Sequence, residues 1–250
     1  MPSRASISVF FPAYNDAGTI PSMVLTALLT LRRITDDFEV IVVNDGSQDH
    51  TSQLLEELAS CYPEVRVVHH LKNAGYGGAL RTGIAQSRKE LIFYTDGDAQ
   101  YDVRELEKLL PLMTDGVDMV NGYKISRSDP IYRSILGTTY RLLARFFFGI
   151  RLRDIDCDFR LMRRSIFDKV SLKSNSGTIC VEMVKKIEAC GFIILEVPVH
   201  HFYRSYGRSQ YFTFRRLFRT VIDLSKLWCE LFIVQSSPGS CEKIIEKSLD

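Results

Sequence analysis

The 250-residue chain lacks several features that define common protein classes. It has no run of about 18 apolar residues, the length that a membrane-spanning helix needs. None of its six cysteines forms a C-x-x-C pair, and no histidine stands at metal-site spacing, which argues against structural zinc. The amino terminus has no apolar segment separate from the first predicted strand, so we expect no secretory signal. These absences favour a cytoplasmic protein with reduced thiols that is soluble or lies on a membrane surface.

Acidic and basic residues are unevenly divided along the chain. Residues 1–123 carry 10 Lys and Arg against 17 Asp and Glu, whereas residues 124–250 carry 22 against 13. The overall charge of +2 hides this asymmetry. We therefore expect the two parts to face different ligands, with an anion on the basic side.

Short apolar runs alternate with segments of helical spacing in the first part of the chain. The runs are Ile7 to Phe11, Val40 to Val43, Val65 to Val68 and Leu91 to Tyr94. Because each run is apolar on both faces, the pattern predicts an α/β fold with a mostly parallel sheet and helices on both sides. Thr19 and Pro21 mark the start of the first helix.

Acidic side chains follow the carboxyl ends of three of these predicted strands. Asp16, Asp45 and the pair Asp96 and Asp98 stand where an open α/β sheet has its ligand crevice. Taken alone, the last pair could form a turn, with Asp102 as the cap of the next helix. Two carboxylates one residue apart are equally suited to hold Mg²⁺ or Mn²⁺ against diphosphate oxygens. The other loops at the same crevice favour the metal site.

Two further features lie close to this crevice in the predicted sheet. Asp45 is suited to accept a hydrogen bond from a nucleobase N–H or a ribose hydroxyl, although it could also cap a helix. The stretch Gly75-Tyr76-Gly77-Gly78 lacks the position and spacing of a dinucleotide-binding fingerprint. We expect it to allow close backbone approach at a helix start near the nucleotide.

Arginine and aromatic residues are interleaved in the second part of the chain. The segment 131–149 has the composition of an interfacial amphipathic helix, or of a core helix with snorkelling arginines. Arg133, Arg204 and Arg208 are candidates for clamping a phosphate. Their apolar neighbours favour a lipid phosphate over nucleic acid. An apolar helix predicted from Leu217 to Val234 could pack on the domain or dip into a bilayer surface.

Four motifs, taken in order, resemble those of family 2 glycosyltransferases of the GT-A fold. They are Phe11-Pro12-Ala13-Tyr14-Asn15, Val43-Asn44-Asp45-Gly46-Ser47, Asn73-Ala74-Gly75-Tyr76-Gly77 and Asp96-Gly97-Asp98-Ala99-Gln100. Within that superfamily the chain is similar to the dolichol-phosphate mannose synthase and polyprenyl-phosphate glycosyltransferase group. The resemblance covers residues 5 to about 212, most of the chain.

The resemblance implies roles for individual residues. Residues that would hold the nucleotide are Pro12, Ala13, Tyr14, Asn15, Asp16, Val43, Asp45, Asn73, Gly77, Asp96, Gly97, Lys124 and Gln210. Asp96, Asp98 and Gln100 would hold the metal, and Asp98, Arg133, Arg204 and Asp158 would act in catalysis. Four positions depart from the family pattern: Asp16 replaces a frequent glutamate, Lys124 an arginine, Gln210 a lysine and Asp158 a glycine. One expected cation near the phosphates is therefore missing.

The resemblance also implies the reaction and its setting. We expect an inverting, metal-dependent transfer of a sugar from a UDP or GDP sugar to a dolichyl or undecaprenyl phosphate, at the cytoplasmic face of a membrane. Residues 1–212 would form one catalytic domain, with donor and metal on 1–123 and acceptor on 124–212. Residues 213–235 would form an amphipathic surface helix and 236–250 a polar tail.

Three alternatives remain open from the sequence. A phosphate acceptor needs no general base, whereas a hydroxyl acceptor does, and Asp156 or Asp158 could supply one. The chain could instead be a non-catalytic nucleotide-sugar-binding or membrane-docking subunit, with a membrane-protein partner or a second copy of itself. A nucleotidyltransferase is less favoured, since the loop after the first strand is neither basic nor glycine-rich.

Overall fold

The computed structural model describes residues 5–127, 142, 144–204, 206 and 214–234. Its seven strands are β1 (Ile7–Ala13), β2 (Phe38–Asn44), β3 (Val65–His69), β4 (Leu91–Thr95), β5 (Met119–Arg127), β6 (Phe159–Arg163) and β7 (Ile194–His201). They form one sheet in the order β3-β2-β1-β4-β6-β5-β7. The four strands predicted in the first part of the chain are all present.

Strand β6 runs against its neighbours in this sheet. Parallel pairs join β1 to β2 and β4, β2 to β3, and β5 to β7. By contrast, β6 is antiparallel to both β4 and β5, with Phe159 opposite Thr95. The residue that precedes β6 therefore lies beside the residue that follows β4. The expectation of a mostly parallel sheet is confirmed.

Helices cover both faces of the sheet. They are α1 (Ile20–Ile34), α2 (Thr51–Cys61), α3 (Tyr76–Gln86), α4 (Leu106–Leu109), α5 (Ile179–Ala189) and α6 (Phe214–Trp228), which continues as a π-helix over Cys229–Val234. Of the helix predicted over 131–149, residues 142 and 144–148 are described and are helical. Within the described ranges, no helix is long and apolar enough to cross a membrane.

The core consists of two apolar layers, one on each face of the sheet. Along β1, Val9 and Phe11 pack with α1 on one face, whereas Phe10 packs with α3 and α5 on the other. This alternation follows from the two-residue period of a strand. Gly83 lets α3 come close to β1, because a Cβ at this position would lie 2.3 Å from the Phe10 ring.

The cysteines are mostly free thiols, as the sequence predicts, with one exception. Cys61, Cys157, Cys180 and Cys229 are free, but Cys190 is disulfide-bonded, so the expectation of reduced thiols is wrong at this residue. Burial raises the pKa of the Cys157 thiol to about 12, and it also raises that of Cys180. Both therefore act as small core side chains and not as reactive thiolates.

Candidate functional site

The loops that follow β1 and β2 are joined by hydrogen bonds. The backbone N–H of Asn15 donates to Oγ of Ser47 at 3.0 Å, and that of Gln48 donates to Oδ1 of Asn15 at 2.8 Å. At the end of the two strands, the N–H of Asp45 donates to the carbonyl of Ala13 at 2.9 Å. The predicted nucleotide-binding residues of both loops thus form one surface at the carboxyl edge of the sheet.

The end of β1 is also in contact with the loop that follows β4. Pro12 pairs in register with Val43 of β2, and a Cβ on Gly97 would lie 3.0 Å from the carbonyl oxygen of Pro12. Thr19, which precedes α1 as predicted, donates its hydroxyl to the carbonyl of Gly97 at 2.8 Å. Its side chain makes no capping bond to α1. The threonine therefore fixes the acidic loop instead.

Asp16 lies beneath this surface. Its Oδ2 accepts the N–H of Tyr14 at 3.0 Å, and its own N–H donates to Oγ1 of Thr51 at 3.1 Å. Burial raises the pKa of its carboxyl to about 6, against the effect of the Tyr14 hydrogen bond, and the nearby Asp98 charge raises it further. A negative charge at Asp16 is thus costly without a nearby cation.

The two aspartates after β4 are each held by a long-range partner. The hydroxyl of Tyr76 donates to Oδ1 of Asp96 at 2.7 Å. Oδ1 of Asp98 accepts the N–H of Gln100 at 3.0 Å, and its Oδ2 forms an ion pair with Nη2 of Arg204. Burial raises the pKa of both carboxyls, and the charge of Asp158 adds to the effect. The structure thus brings three carboxylates into electrostatic contact.

These residues fit a divalent cation as part of its coordination shell. Among the described residues, no three His, Cys, Asp or Glu side chains are placed to hold a metal ion by themselves. Asp96 and Asp98 offer hard carboxylate oxygens whose charges are disfavoured by burial, so a cation would stabilise them. Gln100 donates its side-chain amide to the carbonyl of Phe202 at 3.0 Å, and this bond uses the nitrogen and not the oxygen. Its role as a neutral ligand stays a prediction.

Asp45 is largely occupied by contacts within the protein. Its Oδ1 accepts the N–H of Ala74 at 2.7 Å and lies 2.7 Å from Nδ1 of His70, while Oδ2 accepts the N–H of Gly75 at 3.0 Å. Asn73 donates its side-chain amide to the Asp45 carbonyl at 3.1 Å. Asp45 therefore organises the loop before α3. Since a carboxylate offers about four lone-pair sites, about one remains for a nucleotide.

The glycine-rich start of α3 packs against the chain itself. The N–H of Gly77 donates to the carbonyl of Asn175 at 3.0 Å, and a Cβ at Gly77 would lie 2.3 Å from the carbonyl oxygen of Ser174. Gly75 has a positive φ of 85°, which glycine adopts without strain. The expected close backbone approach is present, but the group that approaches is the loop before α5. Tyr76, between these glycines, is a site residue that sequence reasoning missed.

Asp158 lies beside Asp96 because β6 is antiparallel to β4. Its Oδ1 accepts the Cys180 thiol at 3.2 Å and the Tyr94 hydroxyl at 3.4 Å. Both donors are core side chains, so the carboxylate is fixed at the floor of the crevice. The structure thus joins the residue that replaces the family glycine to the predicted metal ligands.

Lys124 and Asp156 lie close to each other and to Asp158. Nζ of Lys124 donates to the backbone carbonyl of Asp156 at 2.7 Å. Burial raises the pKa of the Asp156 carboxyl to about 7, against the effect of the Lys124 charge. The neighbouring Asp154 and Asp158 charges raise it further. A carboxyl with such a pKa can accept or donate a proton near neutral pH.

Three of the predicted site residues are not placed by the structure. Arg204 reaches the loop that carries Asp98. Arg133 and Gln210 lie outside the described residues, as does Arg208, so their roles stay predictions.

Comparison with known proteins gives matches in sequence and in fold. A family model described as "Glycosyl transferase family 2" matches residues 8–171. An undecaprenyl-phosphate 4-deoxy-4-formamido-L-arabinose transferase of Pectobacterium atrosepticum is 29% identical over 221 residues, which cover 88% of this chain and 66% of that protein. Glycosyltransferase AglD of Haloferax volcanii is 32% identical over 202 residues, 77% of this chain and 32% of that protein.

Among solved structures, the glucosyl-3-phosphoglycerate synthase of Mycobacterium tuberculosis in complex with Mn²⁺ and UDP-glucose has a similar fold. Its TM-score is 0.67 at 21% identity, over 90% of this chain and 79% of that chain. A second structure of that enzyme, with phosphoglyceric acid, has a TM-score of 0.66 at 18% identity. At such identities the likeness shows the fold alone. The chain spans about two thirds of the length of the first curated relative.

Proposed function

Because the chain belongs to glycosyl transferase family 2 and has the GT-A fold, we propose that it transfers a sugar from a nucleoside diphosphate sugar to a polyprenyl phosphate. The observation that carries this proposal is the convergence of Asp96, Asp98 and Arg204 at the carboxyl edge of the sheet. Acidic groups that can hold a cation and a basic group that can hold a phosphate meet there. The curated relative's name supports the acceptor class.

On the donor side, the loops after β1 and β2 would hold the nucleotide, and Asp96 and Asp98 would hold Mg²⁺ or Mn²⁺. A solved neighbour that contains Mn²⁺ and UDP-glucose supports this arrangement. When bound, the cation would neutralise charge on the leaving diphosphate. The buried carboxylates of Asp96 and Asp98 would then position the diphosphate through that cation.

Lys124 and Arg204 would hold phosphate oxygens of the leaving diphosphate and orient an anionic acceptor beside it. An oxygen of the lipid phosphate attacks the anomeric carbon, the bond from that carbon to the diphosphate oxygen breaks, and the diphosphate takes the electron pair. A single displacement of this kind inverts the anomeric configuration. Because the attacking phosphate is already ionised at neutral pH, orientation and charge stabilisation are the main demands on these residues.

An exposed aromatic patch supports a location at a membrane surface. We define this aromatic patch as Phe146 and Phe147 of the helix 144–148, with Trp228 and Phe232 of α6 and its continuation. Phe146 is 81% exposed and Phe147 52%. The Trp228 indole N–H donates to the Phe147 carbonyl at 3.0 Å, and its ring stacks on Phe232 with centroids 5.5 Å apart. Large exposed aromatic groups of this kind suit a bilayer interface.

The proposal keeps the division of the chain that the sequence predicts. Residues 1–123 would bind donor and metal, and residues 124–212 would bind the acceptor. Residues 213–235 would lie on the cytoplasmic face of the membrane that carries the lipid.

The proposal is tested with the purified full chain and a panel of UDP and GDP sugars. Polyprenyl phosphate in vesicles serves as acceptor, with Mn²⁺ and with EDTA. We expect lipid-linked sugar from one donor class with Mn²⁺ only, and no turnover by Asp98→Asn. Asp102→Asn is the matched control, since Asp102 only caps the turn Val103–Glu105 and pairs with Arg104.

Two results would contradict this reading. Turnover that survives Asp98→Asn would remove the metal assignment. A chain that binds a nucleotide sugar but transfers nothing from any donor would favour a nucleotide-sugar-binding subunit.

A hydroxyl acceptor is a second candidate, favoured by the position of two carboxyls. Asp158 lies beside the metal ligands, and Asp156 has a pKa of about 7, as a general base requires. This reading predicts that a polyprenol or a glycan is a better acceptor than the lipid phosphate. It also predicts that Asp156→Asn removes the increase of the rate with pH near neutrality, and that Asp158→Asn lowers transfer to a hydroxyl acceptor.

A further inference from the structure

Residues 202–204, which follow β7, contact the loop that carries the acidic pair. The N–H of Phe202 donates to the carbonyl of Gln100 at 2.8 Å, and the Gln100 side-chain amide donates to the carbonyl of Phe202 at 3.0 Å. Two residues further on, Arg204 forms its ion pair with Asp98. These residues are thus attached to the acidic loop by one backbone hydrogen bond, one hydrogen bond from a side chain and one ion pair.

Tyr206 extends the same contact to the start of α1. A Cβ added to Gly18 would lie 2.4 Å from Cδ2 of the Tyr206 ring. The ring therefore rests on the glycine, between the loop after β1 and α1. Because Gly18 has no positive φ, alanine at this position would crowd the ring without straining the backbone.

Only some of the hydrogen-bond donors of the Arg204 guanidinium have a partner. Its side chain is 25% exposed, and its partner Asp98 is 7% exposed. The buried Nε of Arg204 has no hydrogen-bond partner within the described part of the chain. An unpaired buried N–H costs free energy, so this guanidinium would gain from a ligand that accepts two hydrogen bonds. A phosphate is such a ligand, since its oxygens match the guanidinium fork.

Asp98 cannot serve Arg204 and a metal ion fully at the same time. Its Oδ1 accepts the N–H of Gln100, and its Oδ2 is the atom that Nη2 of Arg204 contacts. A cation bound through Oδ2 would meet the positive guanidinium at contact distance. Two positive charges beside one carboxylate oxygen repel each other, so the ion pair with Arg204 and a cation bound at Oδ2 weaken each other.

We propose that Arg204 is the resident counter-ion of Asp98 before the donor binds, and that a divalent cation displaces it towards the phosphates. The inference rests on the proposed function and adds the order in which the cation and the phosphate bind. The guanidinium becomes available to a phosphate only after Asp98 has taken the cation. Arg204 thus acts first as the counter-ion of Asp98 and then as a ligand of a phosphate. The sequence has Gln210 in place of a lysine that the resemblance implies, so one cation fewer is present for the second role.

The test measures Mn²⁺ binding by the full chain without nucleotide, from the electron paramagnetic resonance signal of free Mn²⁺. Removing Arg204 removes the competitor, so Arg204→Gln should bind Mn²⁺ about fivefold more tightly than the wild type. With UDP or GDP present, the same variant should bind the nucleotide with Mn²⁺ more weakly, because the guanidinium that would hold a nucleotide phosphate is gone. A gain in one measurement and a loss in the other is a pattern that a purely structural arginine would not give.

Two further variants separate competition from general electrostatics. Lys124→Met removes a nearby cation that donates to the Asp156 carbonyl and not to Asp98, so its gain in Mn²⁺ affinity should be smaller. Gly18→Ala keeps every charge but crowds Tyr206, and it should shift Mn²⁺ affinity in the direction of Arg204→Gln. Equal gains for Lys124→Met and Arg204→Gln would overturn the inference.

The remaining outcomes distinguish this inference from the proposed function. If Asp98→Asn loses Mn²⁺ binding while Arg204→Gln matches the wild type, the metal site stands and the competition does not. If Asp98→Asn binds Mn²⁺ as the wild type does, the metal assignment itself fails. If neither the wild type nor Arg204→Gln binds Mn²⁺ without nucleotide, displacement before donor binding is excluded.

Discussion

The hydroxyl of Tyr76 donates a 2.7 Å hydrogen bond to Oδ1 of Asp96, and it joins the first turn of α3 to the loop after β4. Burial raises the pKa of Tyr76 well above its usual value, and the charges of Asp158 and Asp96 raise it further. The phenol therefore stays protonated and remains a donor at neutral pH. Tyr76 holds one carboxylate of the proposed metal site in place.

We predict that Tyr76→Phe weakens Mn²⁺ binding and lowers kcat by about tenfold. A hydrogen bond to a charged group contributes about 1.5–3 kcal/mol, and its loss lets the Asp96 carboxylate rotate. The measurements are Mn²⁺ affinity and steady-state kinetics at saturating acceptor. Tyr62→Phe is the control, since Tyr62 lies at the end of α2 beside Arg32. A Tyr76→Phe enzyme with wild-type Mn²⁺ affinity would show that Tyr76 has no positioning role.

The sequence predicts the acidic loops because each consists of residues that are close in the chain. Asp96 and Asp98 follow a strand directly, and the carboxyl end of a parallel strand is a known place for a ligand. Asp158 could not be placed in this way, because its position depends on the antiparallel direction of β6. The bond from Tyr76 to Asp96 spans 20 residues, and that from Arg204 to Asp98 spans 106. Such contacts depend on how helices and loops pack, which local patterns do not encode.

Asp156 should make stability depend on pH. Burial raises its pKa from 3.8 to about 7, against the Lys124 charge. A carboxyl with a raised pKa in the folded state stabilises the fold below its unfolded pKa, and this contribution is lost as the pH rises through the folded value. The contribution of Asp156 should therefore fall between about pH 4 and pH 7. Asp156→Asn cannot ionise, so its free energy of unfolding should exceed that of the wild type more at pH 8 than at pH 5.

Urea unfolding at both pH values checks this prediction, with Asp49→Asn as the control. Burial alone would raise the pKa of Asp49, but hydrogen bonds from Thr51 and Ala17 lower it below its usual value. Its contribution is therefore present throughout this pH range and is lost only in more acidic solution. The difference in free energy of unfolding between Asp49→Asn and the wild type should be the same at pH 5 and pH 8. An equally flat difference for Asp156→Asn would contradict the raised pKa.

The aromatic patch should determine vesicle binding. Replacing Phe146 and Phe147 by serine removes two exposed rings, each of which contributes about 1.5–3 kcal/mol when buried in an apolar medium. We expect a loss of more than about tenfold in affinity for anionic vesicles in a flotation assay. Transfer to a short-chain, water-soluble acceptor phosphate should be unchanged. Leu29→Ser is the control, since Leu29 is an apolar residue that is 66% exposed on α1. Equal losses of vesicle affinity for both variants would show that the aromatic patch has no special role in vesicle binding.

The buried ion pair of Lys186 and Glu182 should be needed to hold the loop that supports the start of α3. The two charged atoms lie 2.6 Å apart, and both side chains are 2% exposed. Glu182 also accepts the N–H groups of Lys173 and Ser174, and Lys186 donates to the Ser171 carbonyl at 2.9 Å. The pair therefore fixes the loop whose Asn175 carbonyl holds Gly77.

Lys186→Met leaves the Glu182 carboxylate buried without its cation, so we predict a loss of about 3–5 kcal/mol in the free energy of unfolding. Lys185→Met is the matched control at the next residue, because Lys185 lies 3.8 Å from Glu188 in a pair that is about a fifth exposed. A longer pair that is partly open to water contributes less than a fully buried one, so that variant should lose clearly less stability in urea than Lys186→Met does. Adding Glu182→Gln to Lys186→Met should recover part of the loss, because the unpaired charge is then removed. If the double variant is no more stable than Lys186→Met alone, the cost lies in lost packing and not in the uncompensated carboxylate.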